Sequence, residues 1–200
     1  MLLLVVLSIF TFIMAAQHPT QLEYDEFTYI TKMHKYLVKY LGKIFNNSDY
    51  TSHDDSKFLE PELTPYTLQF VSKVKRVENP RWKEAKEHHF STNNHHIEFW
   101  KYYAKEEMPL ERLAEAVVDM MAANFQYNLC REVTEIARIN QNEFDVEKLT
   151  LTLHEFLAKP DMYTFQDRFL SEYSETQKQK INEMLQNFQH KFRALLIKEL

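Results

Sequence analysis

Apolar residues recur every three or four positions along most of this chain, which is the spacing of one buried helix face. Phe27, Ile30, His34, Leu37, Val38, Leu41 and Phe45 share one face between Tyr24 and Phe45, so a long helix is expected there. Asn46 to Ser52 is a polar loop, and His53 to Phe58 opens a second helical region. Pro65 at a first turn, followed by Tyr66, Phe70, Val74 and Val77, predicts a helix ending before Pro80. Trp82 to Phe90 reads as a short helix with Ala85 and His89 opposite its lysines. A loop, Ser91 to Asn94, leads with Asn94 as N-cap into a short helix carrying His95, His96, Phe99, Trp100 and Tyr103. Pro109 opens the next helix, to about Tyr127. Val146, Leu149, Leu153, Phe156 and Leu157 mark another between Asp145 and Leu157, before a break at Lys159-Pro160. Ser174-Glu175-Thr176-Gln177 is a capping box. It starts a last helix through Ile181, Leu185, Phe188, Phe192, Leu195 and Leu196.

Composition agrees with an all-α fold. The chain of 200 residues has a single glycine, whereas strand-rich folds need glycine at turns and bulges. Hydrophobic residues make up 44% and aromatics 14%, enough for a substantial core. A net charge of -5 without a basic stretch excludes nucleic acid as an expected partner. The one cysteine, Cys130, leaves no internal disulfide and no zinc-thiolate cluster. Residues 1–16, MLLLVVLSIFTFIMAA, read as the apolar part of a secretory signal cut near Ala16, or else as an N-terminal anchor. A secreted or secretory-pathway protein is therefore expected, with a membrane partner only if that segment is retained; a buried helix in an intracellular protein is the other alternative. Asn46-Asn47-Ser48 is a glycosylation sequon on that route. Residues 24–140 are expected to form the helical domain, and 141–200 a C-terminal helical extension suited to covering a site or forming a homodimer.

Against this background a few polar residues stand out. His53-Asp54-Asp55-Ser56-Lys57-Phe58 presents an imidazole and a carboxylate side by side, which suits a divalent metal that accepts nitrogen and oxygen. Lys57 lies three residues beyond Asp54, within reach of an anion held by such a metal. Asp119 is the one carboxylate inside Ala116-Val117-Val118-Asp119-Met120-Met121-Ala122-Ala123. Burying it costs several kcal/mol unless it is paired or bound to metal. His34 is either a core histidine bonded to a carbonyl or a ligand. Five of the nine histidines lie between His53 and His96.

Taken in order, His34, His53-Asp54, His89, His95-His96 and Asp119 spell H…HD…H…HH…D, each from a different predicted helix or helix end. This resembles the HD-domain superfamily of all-helical, metal-dependent phosphohydrolases, which often read His-Asp-x-Gly-Lys. More narrowly it is similar to an uncharacterised HD-like family with HD-x-SKF, a His, an Asn, a His-His pair, an aromatic four residues on (here Trp100) and an Asp in an Ala-rich helix. Ser56 stands where the superfamily usually has glycine, and only nineteen residues separate His34 from His53. The resemblance covers about residues 27 to 127. It implies that His34, His53, Asp54 and Asp119 hold one metal, and that His89 with His95 or His96 completes a second, bridged by Asp54. It also implies that Lys57 meets the substrate anion. Imidazole and carboxylate ligands suit Mn, Fe, Zn or Ni, as one or two ions. Glu98 and Glu115 are candidates for carboxylates behind the histidines, or for plain solvated charges. The expected activity is hydrolysis of a small phosphorylated substrate, perhaps a nucleotide. Its rivals are a di-iron oxygenase on the same scaffold and a non-catalytic helical interaction protein.

Overall fold

A computed structural model describes residues 18–72, 79, 81–140, 143–159, 163 and 170–199. The signal-like segment 1–16, Val74, Val77 and the Pro160 break lie outside these residues. Among the described residues six α-helices follow one another: α1 (Gln21–Asn46), α2 (Leu63–Phe70), α3 (Trp82–Thr92), α4 (Leu110–Ile136), α5 (Val146–Leu157) and α6 (Glu175–Glu199). A 3-10 turn, Asp55–Phe58, precedes α2, and a π-helical turn, Phe99–Ala104, precedes α4. The described residues contain no strand beyond an isolated bridge between Arg138 and Phe144. The protein is an all-α bundle.

Thr20 caps α1: its hydroxyl accepts from the Glu23 amide at 3.3 Å, and the Glu23 carboxylate accepts from the Thr20 amide at 2.7 Å. Asn47 closes the helix in the left-handed region, at φ 60°. The α6 capping box forms as its sequence predicts, with the Ser174 amide 3.0 Å from the Gln177 amide oxygen.

α1 and α4 form the central pair; α5 packs on α4, and α6 lies across both α1 and α4. Leu37, Val38 and Leu41 of α1, Val117, Val118 and Met121 of α4, Leu149 and Leu153 of α5, and Ile181 and Phe188 of α6 belong to one buried cluster. The C-terminal helices thus share the core of the central pair. Phe27, Tyr66 and Ala85 make a second, smaller cluster under α2 and α3.

Three elements differ from the sequence reading. The helix expected from Pro65 to before Pro80 ends at Phe70, with Val71 as its cap. α4 continues past Tyr127 to Ile136, because Asn128 to Ile136 contains no proline or glycine to end it. The stretch from His95 is not an α-helix begun by Asn94. It is a turn followed by the π-helical Phe99–Ala104, anchored where the Trp100 indole donates to the Asn94 carbonyl at 2.7 Å. π-Turns are rare and gather at functional sites. Among the described residues no helix is long and apolar enough to cross a membrane.

Gly42, the chain's single glycine, lies inside α1 and faces a ring. A Cβ there would stand 2.7 Å from Tyr50 Cδ2 and 3.1 Å from the Ser48 carbonyl oxygen. The Tyr50 ring is buried and its hydroxyl is held by the Asn46 side chain at 2.8 Å, so it cannot yield freely. Gly42→Ala gains ~1 kcal/mol of helix propensity but overpacks this contact at a cost of ~1–3 kcal/mol. Its melting temperature should fall by a few degrees in thermal denaturation; a rise would show that Tyr50 moves aside without cost.

Candidate metal centre

The backbone first explains why the polar residues meet. Asp54 sits in the left-handed region at φ 58°, one of three non-glycine residues with positive φ among those described. The conformation costs about 1 kcal/mol for an aspartate. It turns the chain sharply between the Tyr50 carbonyl, bonded by the His53 amide, and the 3-10 turn, where the Lys57 amide donates to the Asp54 carbonyl at 3.1 Å. His53 and Asp54 therefore enter the bundle together, and both are buried. His34 comes from the inner face of α1, Asp119 from α4, His89 from the last turns of α3, and His95 and His96 from the turn that follows.

Their atoms fall into two groups that share Asp54. In the first, His34 Nε2 lies 2.9 Å from Asp119 Oδ1, 3.3 Å from His53 Nε2 and 3.8 Å from Asp54 Oδ2. His53 Nε2 is 3.6 Å from both Asp54 Oδ2 and Asp119 Oδ1. In the second, Asp54 Oδ1 lies 3.4 Å from His89 Nε2 and 3.5 Å from His95 Nε2, while His89 and His96 bring their Nε2 atoms to 2.8 Å. Atoms bound ~2.1 Å from one ion stand ~3.0–3.4 Å apart at octahedral or tetrahedral angles. Both groups fall near that spacing.

The opposite edges of the imidazoles decide which nitrogen faces inward. His34 Nδ1 is 2.7 Å from the Gln126 side-chain oxygen, His53 Nδ1 3.2 Å from Glu115, and His89 Nδ1 2.8 Å from Glu62. His95 Nδ1 is 3.7 Å from the same Glu115 oxygen. Gln126 at His34, Glu115 at His53 and Glu62 at His89 are within hydrogen-bond reach of Nδ1 and turn each Nε2 toward the centre. The Nε2 atoms of His89 and His96, at 2.8 Å, and of His34 and His53, at 3.3 Å, are each close enough to share a proton or to hold a metal ion between them. Asp54 Oδ1 and His95 Nε2 moreover are buried without any hydrogen-bond partner. The buried His/Asp cluster can hold a metal, and these donors fit one.

Electrostatics point the same way. Burial raises the carboxyl groups of Asp54 and Asp119, but Lys57 and the histidines around Asp54, and the bonds from His34 and His53 to Asp119, hold both well below the usual carboxylate range. Burial lowers His53, yet Asp54, Asp119 and Glu115 push it up to about 10. A proton on His53 thus takes the place of a cation. Burial and the neighbouring imidazoles keep His95 and His96 well below the ordinary histidine value, hence neutral.

Lys57 extends its ammonium to 2.5 Å from Asp54 Oδ2 and over the Tyr66 ring, 5.5 Å from its centre. Burial lowers it, and Asp54 and Asp119 more than offset this, so it stays charged. Glu115 lies behind His53 and His95, with its other oxygen bound by Arg112 at 2.7 Å. Glu98 stands apart. It lines the adjoining cavity and makes no hydrogen bond to a histidine among the described residues.

The sequence reading passed over Glu62, which is fully buried and spans two neighbouring histidines: His88 Nδ1 and His89 Nδ1 each lie 2.8 Å from one of its oxygens. It also passed over Gln126. A signal for Gln126 existed: Glu115, Asp119 and Gln126 are spaced four and seven apart, one polar line on an apolar helix. Glu62, beside Pro61 and before a short helix, gave none.

Beyond the two groups opens a cavity of about 480 Å³. His34, Asp54, Lys57, His95, His96 and Asp119 line it together with Phe27, Tyr66, Phe70, Phe90 and Tyr173.

One family model, described as a family of unknown function (DUF5662), matches residues 23–187. No curated protein and no solved structure matches the chain.

Two outcomes are expected. Glu62→Gln should weaken metal binding ~10–100-fold, as losing a carboxylate behind a ligand histidine does, measured as bound metal per chain against a competing chelator; unchanged affinity would make Glu62 a structural acid only. Metal must also displace the His53 proton. Below pH 10, where His53 is protonated, affinity should therefore rise with pH, by ~10-fold per unit. A flat profile between pH 6 and 8 would show that His53 does not ligate.

Proposed function

The chain belongs to DUF5662, a family of unknown function, and from its site we propose that it is a metal-dependent hydrolase of phosphoesters, built on an HD-like scaffold. The observation that carries this reading is the division of Asp54: one buried oxygen faces His34 and His53, the other His89 and His95. A carboxylate so placed is suited to bridging two ions, and the all-nitrogen-and-oxygen donor set favours Mn, Fe, Zn or Ni. When bound, such ions supply Lewis acidity toward a phosphoryl oxygen and a water of lowered pKa.

The chain's own residues have separate tasks. Gln126, Glu115 and Glu62 retain the Nδ1 protons and fix the rings, so that the inward nitrogens act as ligands and not as acids. Asp119 balances charge at the first group. Lys57 offers three N–H donors and no acceptor, so it is not a ligand but a donor to a non-bridging phosphoryl oxygen. The aromatic walls keep bulk water from the reacting phosphate, which strengthens each of these interactions.

Lys57→Met retains the aliphatic stem and removes the charge. Bound metal and melting temperature should stay near those of the parent, while kcat on a phosphoester falls ~10²-fold or more. Unchanged kcat would reduce Lys57 to a solvated partner of Asp54. Asp119→Ala should lose metal, whereas Asp119→Asn should keep the fold with weaker binding; metal content that is equal in both and in the parent would remove Asp119 from the ligand set. Phosphate release across a phosphoester panel tests the activity itself. Oxygen uptake by the iron-loaded chain, with no phosphate released, would transfer the reading to an oxygenase on the same scaffold.

A further inference from the structure

Beyond the metal groups, the cavity has a chemical character that bears on what it accepts. Its polar lining includes Lys57, the single lysine or arginine among its described lining residues. The walls are flat and apolar: Tyr66 and Phe70 pack together with ring centres 5.8 Å apart, and Phe90 stands 5.0 Å from the His96 ring. Phe70 is 49% exposed, unusually open for an aromatic residue lining a cavity. Tyr173, from the segment ahead of α6, lines the same space. Two acids, Glu98 and Glu172, also belong to the lining, and Glu172 is paired with Lys101 at 2.9 Å.

This inference rests on the hydrolase reading and narrows it. We infer that the site takes a phosphate monoester of a flat, apolar alcohol, and discriminates against polyphosphates. The single phosphate meets the ions and Lys57. The body of the ester stacks on Phe70 and Phe90 of the lining, with the buried Tyr66 behind Phe70, since aromatic faces favour other π-systems and exclude water from them. A second or third phosphoryl group would carry more negative charge into a space whose remaining carboxylates are Glu98 and the Lys101-paired Glu172. No further cation among the described lining residues would meet it, and like charges in a partly desolvated cavity repel strongly.

The test uses the full chain loaded with manganese and reads binding as well as turnover. Phenylphosphonate and methylphosphonate carry the same head group, resist hydrolysis and differ only in the body. Calorimetry should find phenylphosphonate tighter by about tenfold or more, in keeping with the burial and stacking of one ring. Phe70→Ala should bring the ratio toward one. With manganese in excess, adenosine 5′-monophosphate should displace phenylphosphonate at lower concentration than adenosine 5′-triphosphate does. Equal affinity for the two phosphonates, or tighter binding of the triphosphate, overturns the inference. If phenylphosphonate is preferred but phenyl phosphate is not turned over, the inference stands and the hydrolase reading fails. If methyl and phenyl phosphate are turned over with equal kcat/KM and the phosphonates bind equally, the hydrolase stands and the inference fails. Binding of neither phosphonate overturns both.

Discussion

Two ionised carboxylates inside an apolar helical bundle govern the rest of this structure. Asp54 is almost wholly buried and Asp119 lies at the floor of a cavity, in a helix whose neighbouring residues form the core. An isolated charge in such a place costs several kcal/mol. Positive charge must therefore stand beside the pair, and polar groups are packed around it in layers. Lys57 and a proton on His53 stand next to the carboxylates, four further imidazoles surround them, and Glu62, Glu115 and Gln126 grip the far edges of those rings. Arg112 then partners Glu115 nearer the surface. Each layer answers an electrostatic debt left by the one inside it. Removing an outer member therefore acts on the centre without touching it.

The bundle itself was legible from the chain because helix periodicity is a local property. α1, α5 and the opening of α6 follow from their apolar spacing and capping residues, and a chain with one glycine has few other options. The candidate ligands were legible for a related reason: a polar residue such as His34 or Asp119 inside an apolar stripe violates the pattern that surrounds it. Elements set by tertiary contact were not legible. The π-turn depends on the Trp100 indole reaching back to the Asn94 carbonyl, and no propensity encodes that bond. Glu62 reads as an ordinary acid in a polar loop, and its burial against His88 and His89 arises only when α2 and α3 pack.

The division of labour between the helices also becomes clear. α1 and α4 are central and continuous, and each contributes one inward candidate ligand to the first group. The second group comes from the end of α3 and the turn beyond it, on shorter elements that lean on the smaller cluster around Phe27 and Tyr66. Residues near the start of α6 complete the cavity wall, so the last quarter of the chain belongs to the site as well as to the core.

The left-handed backbone at Asp54 has a consequence for how this protein can change. At φ 58° the conformation is one that glycine adopts without penalty and aspartate only with some strain. Glycine at this position would relax the turn and remove a buried charge, yet it would also delete the carboxylate that both groups share. Here the substitution that backbone preference favours is the one that abolishes the centre.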